Sequence, residues 1–191
     1  MSETELILLL KQGDRAAFDY LVTNNQARVY NACLGVLRSQ EDAEDVTQEV
    51  FVEVYRSISG FKGDAKLTTW MYRIAMTKSL DFLRGKKRKK RFAFVKQLFN
   101  EDSNTPRYDP PDFAHPGVQL ENKEAAAHLF KAIAELPENQ KVAFTLNKIE
   151  GLSYQEISEV METTVPSVES LLFRARQNLK NLLSEYYNNN F

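Results

Sequence analysis

Apolar residues recur at spacings of three and four along almost the whole 191-residue chain, and this one pattern restricts it to a helical fold. Strand-like alternation is nearly absent, and Gly and Pro are sparse outside a few places. The periodicity breaks over Asn100–Gly117, NEDSNTPRYDPPDFAHPG, where Pro, Asp and Asn concentrate and no apolar face persists. The expectation is an all-α protein of two helical domains joined by a flexible linker. Helical sequence covers about Glu5–Phe94 and Leu120–Tyr187, which divides the chain into residues 1–97, a linker 98–119, and residues 120–191. With 43% hydrophobic residues, the chain can bury two small cores.

No apolar run approaches the ~20 residues that span a bilayer, and the polar start MSETE lacks the basic-then-apolar layout of a secretory signal. A soluble, cytoplasmic chain without membrane insertion is expected. Cys33 is the only cysteine, which excludes an internal disulfide, and the two scattered histidines His115 and His128 cannot complete a structural zinc site. No carboxylate cluster or histidine pair has metal-ligand or general-acid spacing, so no metal, cofactor or catalytic residue is assigned and an enzyme is not expected.

The net charge of −1 conceals a sorted distribution. Residues 1–60 hold 5 Lys/Arg against 10 Asp/Glu, residues 61–97 hold 12 against 2, and residues 98–191 hold 8 against 14. A basic run alone is as often a solvated surface as a binding site, so its neighbours must decide.

Ser39 is placed to cap a helix whose first turns carry Glu41, Asp42, Glu44 and Asp45, stabilised by the positive end of the helix dipole. To about Ile58, the residues Val46, Val50, Phe51, Val54 and Ile58 share one arc at about 100° per residue and predict the core side. The opposite arc holds Asp45, Gln48, Glu49, Val52 and Arg56. Val52 among carboxylates suggests a partner surface, although a single exposed valine is common.

A second helix is expected over Leu67–Arg84, with Tyr72, Ala75, Met76, Ser79, Phe82 and Leu83 on one arc. Its other arc carries Trp70, Arg73, Thr77, Asp81 and Arg84. Tryptophan is normally core, yet a mixed aromatic and cationic face is what single-stranded DNA requires: bases stack on rings while cations hold phosphates. The preceding loop, Phe61–Lys66, supplies Gly63 for tight backbone passage, with Lys62 and Lys66 where they could flank an unstacked base. After the helix comes RGKKRKKR, seven cations in the eight positions Arg84–Arg91. Stacking groups adjoin a polycation, which favours nucleic acid over a merely solvated tract.

In the C-terminal part, a helix is expected over about Leu120–Ala134, and Leu136-Pro137 opens the next. Ser153 with Glu156 forms a capping-box pattern before YQEISEVM, whose Ile157, Val160 and Met161 point inward. A turn at Glu162–Val165 leads to a last helix with Pro166 in its first turn. Its inward stripe is Val168, Leu171, Leu172, Ala175, Leu179 and Leu182, and its outward face Ser167, Ser170, Phe173, Arg174 and Gln177, with Arg176 at the margin. A short helix, a tight turn and a longer helix presenting Ser, Arg and Gln is the layout that enters a major groove, although an ordinary helical hairpin shares it.

Together, DAEDVTQEVFVEVYR (Asp42–Arg56), FKGDAKLTTWMYRIA (Phe61–Ala75) and EGLSYQEISEVMETTVPSVESLLFRAR (Glu150–Arg176) resemble the extracytoplasmic-function (ECF) sigma factors, in the right order and over nearly the whole chain outside the linker. The resemblance implies a sigma region 2, in which a helical bundle docks on core RNA polymerase and melts the −10 element. It also implies a sigma region 4, a four-helix domain whose helix-turn-helix reads the −35 element. By position, Asp45, Gln48, Glu49 and Val52 would meet the clamp helices of the largest polymerase subunit, and region 4 would meet the flap of the second-largest. Phe61, Lys62, Lys66, Trp70, Tyr72, Arg73, Thr77, Asp81 and Arg84 would serve −10 DNA. Ser167, Ser170, Phe173, Arg174 and Arg176 would serve −35 DNA. The linker would thread toward the active centre and RNA exit path. The resemblance also implies an anti-sigma factor as partner. Thr77 and Asp81 stand where well-known members carry asparagines, and Glu169 and Leu171 where they often carry arginines, so a known promoter sequence does not transfer. The competing reading is a helix-turn-helix regulator acting without polymerase, which leaves Trp70, the acidic helix and RGKKRKKR without roles.

Overall fold

The structure is a computed structural model that describes the backbone of residues 1–99 and 123–190, and the side chains of 1–89 and 128–184. The expected linker Asn100–Gly117 lies outside the described residues. Eight α-helices and one 3-10 turn account for the described secondary structure: α1 (Glu3–Lys11), α2 (Arg15–Leu37), α3 (Gln40–Ser57), the 3-10 turn Ile58–Gly60, α4 (Leu67–Phe99), α5 (Lys123–Glu135), α6 (Glu138–Lys148), α7 (Tyr154–Val160) and α8 (Val165–Asn190). The described residues contain no strand.

Side-chain caps start four of these helices. Ser2, Asp14 and Ser39 accept hydrogen bonds from the backbone N–H groups of Glu5, Ala17 and Asp42 at 3.2, 2.7 and 3.3 Å. Ser153 and Glu156 complete the reciprocal capping box of α7, and the Ser153 backbone and hydroxyl hold the Glu156 carboxyl below the usual carboxylate range. Each such cap stabilises its helix by ~1 kcal/mol.

Helices α2, α3 and α4 pack on one another, with α1 laid across α2 and the 3-10 turn; α5, α6 and α7 pack around α8. The arc expected inside α3, Val46, Val50, Phe51, Val54 and Ile58, is buried, as are Tyr72, Ala75, Met76 and Ser79 of α4. On α8 the inward stripe holds through Leu179, but Leu182 is exposed. Leu183, four residues beyond Leu179, packs against the core in its place, because a 3.6-residue period must alternate steps of three and four.

Helix α4 also departs from expectation. It does not stop at Arg84 but continues through the polycation to Phe99. Gly85 costs a helix interior only ~1 kcal/mol relative to Ala, and the Lys and Arg that follow are good helix formers.

The two helical groups are in contact with each other. Six consecutive residues of α2, Ala32–Leu37, are buried, so this end of the helix is enclosed on every side. Helices α3 and α4 cover part of that circumference, and α6 covers another part. One close approach is at Gly35, where a Cβ would lie 2.6 Å from Thr145 Cγ2 and 3.0 Å from Ile149 Cδ1. Only glycine lets α6 sit this near the α2 backbone.

Candidate nucleic-acid and polymerase interfaces

On α3, Asp45, Gln48 and Glu49 are exposed, and Val52 is 48% exposed beside them. Tyr55, one turn on, is 56% exposed and meets the edge of Phe18 with ring centroids 5.2 Å apart. The face therefore combines an acidic rim with an apolar strip of Val52 and Tyr55. The sequence reading missed Tyr55, although its i+3 spacing from Val52 was the available signal.

The loop Phe61–Lys66 and the start of α4 form a second surface. Trp70 is half-buried, and its ring lies over Phe61 with centroids 5.0 Å apart and planes tilted by 37°. Phe61 is itself buried beneath it, so its side chain supports Trp70 and does not present a face to solvent. Lys62 and Lys66 are exposed on the loop, and Gly63 adopts φ +80°, the left-handed conformation that turns the chain there. Lys11 Nζ donates to the Phe61 carbonyl at 2.7 Å, and the Leu67 backbone N–H donates to Glu3 Oε1 at 2.5 Å. Periodicity along the sequence gave no sign of these contacts, which bridge 50 and 64 residues.

Farther along α4, the expected DNA-facing residues meet the second helical group. Tyr72 is buried, and its hydroxyl donates to Glu150 Oε2 at 2.8 Å. Desolvation, the Glu150 charge and this bond push the phenol well above its ordinary range, so Tyr72 keeps its proton and remains a hydrogen-bond donor. Arg73 donates twice to the Glu159 carbonyl, from Nε at 3.0 Å and Nη2 at 2.7 Å, and its Nη1 pairs with Glu162 at 3.0 Å. Arg84 pairs with Glu138 at 2.9 Å and with Asp81 at 3.2 Å. Lys66 lies 3.9 Å from Glu156. Thr77, exposed, lines a cleft of about 210 Å³ between the groups with Arg73, Asn139 and Glu162. Arg28, also unforeseen, lies 5.9 Å over the Tyr72 ring. Four carboxylates and a carbonyl from α6, α7 and their flanking turns thus engage the phenol and cations of the expected DNA-facing residues.

The third surface is the outward face of α8. Ser170, Phe173 and Arg174 are exposed, Phe173 by 66%, while Ser167 is half-buried with its hydroxyl 2.9 Å from Thr164 Oγ1. Arg176 is exposed and donates to the Tyr154 hydroxyl at 3.2 Å, which fixes it against α7. No group of His, Cys, Asp and Glu among the described residues could hold a metal ion, and no described helix is long and apolar enough to cross a membrane.

Residues 21–89 match Sigma-70 region 2 and residues 126–179 match Sigma-70, region 4. The ECF RNA polymerase sigma-E factor of Haemophilus influenzae is 34% identical over 183 residues, 95% of each chain. The chain belongs to the ECF sigma factors. The RNA polymerase sigma-H factor of Pseudomonas aeruginosa is 32% identical, covering 92% of this sigma factor and 90% of its own chain, and the sigma-E factor of Escherichia coli K12 is 31% identical over 95% and 94%. Two solved structures share the fold: CnrH in complex with the cytosolic domain of CnrY (TM-score 0.64, 22% identity, 96% and 97% covered), and RpoE in complex with the anti-sigma factor NepR from Bartonella quintana (TM-score 0.67, 18%, 87% and 96%). As a sigma factor the chain binds RNA polymerase and directs promoter recognition, and it is not itself an enzyme. Likeness that runs through both regions does not favour a helix-turn-helix regulator acting alone.

Proposed function

We propose that this sigma factor uses its three surfaces in sequence. The α3 face of Asp45, Gln48, Glu49 and Val52 docks on the clamp helices of the largest polymerase subunit, and the α5–α8 group meets the flap of the second-largest. Ser167, Ser170, Phe173, Arg174 and Arg176 hold the −35 duplex, with Phe173 packing on a thymine methyl and Arg174 on phosphate or guanine. Lys62, Lys66, Trp70, Arg73 and Thr77, with Asp81 and Arg84, then engage the melted −10 strand, one unstacked base entering the loop Phe61–Lys66. Phe61 and Tyr72 serve this face from beneath. The division into a melting unit, residues 1–97, a connector, 98–119, and a −35-reading unit, 120–191, follows the same scheme.

The observation that carries this reading is the half-buried Trp70 supported by Phe61 at the edge of a lysine-bearing loop, within the chain's one strongly basic segment. An aromatic platform beside cations accommodates any base by stacking. In the arrangement described, Arg73 and Arg84 are engaged by Glu159, Glu162 and Glu138, so the melting face is covered until the α5–α8 group moves away. CnrH and RpoE, which share the fold, were solved with CnrY and with the anti-sigma factor NepR, and this supports an anti-sigma partner here. The chain's likeness to RNA polymerase sigma factors supports the cytoplasm as the proposed site of action. Run-off transcription with core polymerase on a library of genomic fragments tests the proposal. Defined start sites that appear only when the chain is added support it, and binding to duplex DNA with no new transcripts overturns it.

A further inference from the structure

The loop Phe61–Lys66 forms only one wall of the cleft beside it. The other wall is α1, which contributes Glu3, Thr4, Ile7 and Lys11, spaced to lie along one side of the helix. The cleft measures about 410 Å³, within the ~300–1,000 Å³ of ligand-binding pockets. Helix α1 precedes residue 21, where the match to Sigma-70 region 2 begins, so this wall is a feature of the chain outside the matched segment.

Both ends of the loop are fastened to α1. Lys11 Nζ holds the Phe61 carbonyl where the loop begins, and Glu3 Oε1 accepts from the Leu67 N–H where it ends. Leu67 is the first residue of α4, and its N–H has no intrahelical acceptor. The Glu3 carboxylate therefore caps α4 from a distant part of the chain, at the positive end of that helix. Leu6 and Leu10, on the adjoining face of α1, are buried and fix the helix to the core. From Glu3 to Lys11 a helix rises ~12 Å, so α1 acts as a strut between the two fastening points.

We infer that α1 is the second wall of the base pocket, that Glu3 and Lys11 are positioning residues setting how far the loop opens, and that Thr4 and Ile7 are surfaces an entering nucleobase meets. The inference rests on the proposal that the loop receives an unstacked base. Specificity at that base then depends on a helix that precedes the segment matched to Sigma-70 region 2.

The test uses holoenzyme assembled from core polymerase and the full chain, with a randomised 12-nucleotide single-stranded DNA pool as probe. Oligonucleotides retained by the wild type are resynthesised with an abasic site at each position in turn. Wild-type holoenzyme should lose at least ~5-fold in affinity at one position, the effect of one stacked base. In the Glu3→Ala/Lys11→Ala variant that penalty should shrink to less than about twofold, with binding to core polymerase unchanged; Glu3→Gln and Lys11→Arg, which keep an acceptor and a donor, should restore it. Thr4→Phe leaves both bonds in place at an exposed position and should change which base is preferred, a readout that stands even where the double variant does not fold. If no abasic position affects the wild type, the pocket reading itself falls. If one does, and the penalty and base preference are the same in the double variant and in Thr4→Phe, the pocket stands and the role of α1 is overturned.

Discussion

The Tyr72 hydroxyl donates to a carboxylate oxygen of Glu150 over 2.8 Å, joining α4 to the turn after α6. Burial there raises the Glu150 carboxyl above the usual carboxylate range, against the opposing influence of Tyr72 and Arg28. When the two helical groups separate, Glu150 returns to water and its pKa falls, so the closed form binds more protons. Closure is therefore strongest below the ordinary carboxylate pKa and weakens as pH rises through the raised value. The radius of gyration of the free chain should increase as pH rises from the ordinary carboxylate range, and Glu150→Gln should flatten the change. An unchanged pH dependence in that variant removes Glu150 as its source.

Gly35 gives an independent way to open the molecule. Gly35→Val places a branched side chain where Thr145 Cγ2 already lies 2.6 Å from an added Cβ, and Thr145 is buried and stiff about χ1. The helix itself should tolerate the change, since Gly is among the weakest helix formers. Small-angle scattering should report an expanded chain with helical circular dichroism retained, and binding to single-stranded DNA should rise.

Charge reversal at Asp45 or Glu49 should weaken capture of core polymerase while moving thermal stability by less than ~0.5 kcal/mol, because both residues are exposed. Tyr55→Ala should have the same phenotype through the apolar strip. A pull-down with core enzyme at equal loading reads both effects.

The two DNA-reading surfaces should fail at different steps. Trp70→Ala removes a stacking platform that is useful only once the strand is melted, a loss of ~1–3 kcal/mol, and should suppress permanganate reactivity of thymines near the start site. Phe173→Ala or Arg174→Ala should instead weaken the closed complex at low temperature, since duplex contact comes first. Normal opening by a folded Trp70→Ala protein would falsify the role of the α4 face.

Much of this was legible one helix at a time. The arcs of α3 and α4, the Ser39 cap and the Ser153–Glu156 box follow from local periodicity and hydrogen-bonding chemistry, which neighbouring residues determine. What joins distant segments was not legible: Glu3 to Leu67, Lys11 to Phe61, and Arg73 to Glu159 leave no mark on any one helix. One long-range signal was present and unread. The run ACLGVL, Ala32–Leu37, is apolar around the full circumference of α2, and that already requires a cover beyond α3 and α4. Trp70 shows the other limit, because helical phase cannot distinguish a ring facing solvent from one resting half-buried on the loop before it.

Because α4 runs unbroken through its basic stretch, the cations there are arrayed around a cylinder. Lys86, Lys87, Arg88 and Lys89 follow one another at about 100° and so point in four different directions. Lys86 is already held by Asp42 at 2.5 Å. One strand passing along the helix can meet only about two of them, each releasing ~0.7 of a counterion from single-stranded DNA. Salt should therefore weaken strand binding by this segment with a shallow log–log slope of about −1.4, where the same residues on an extended arm would give about −2.8.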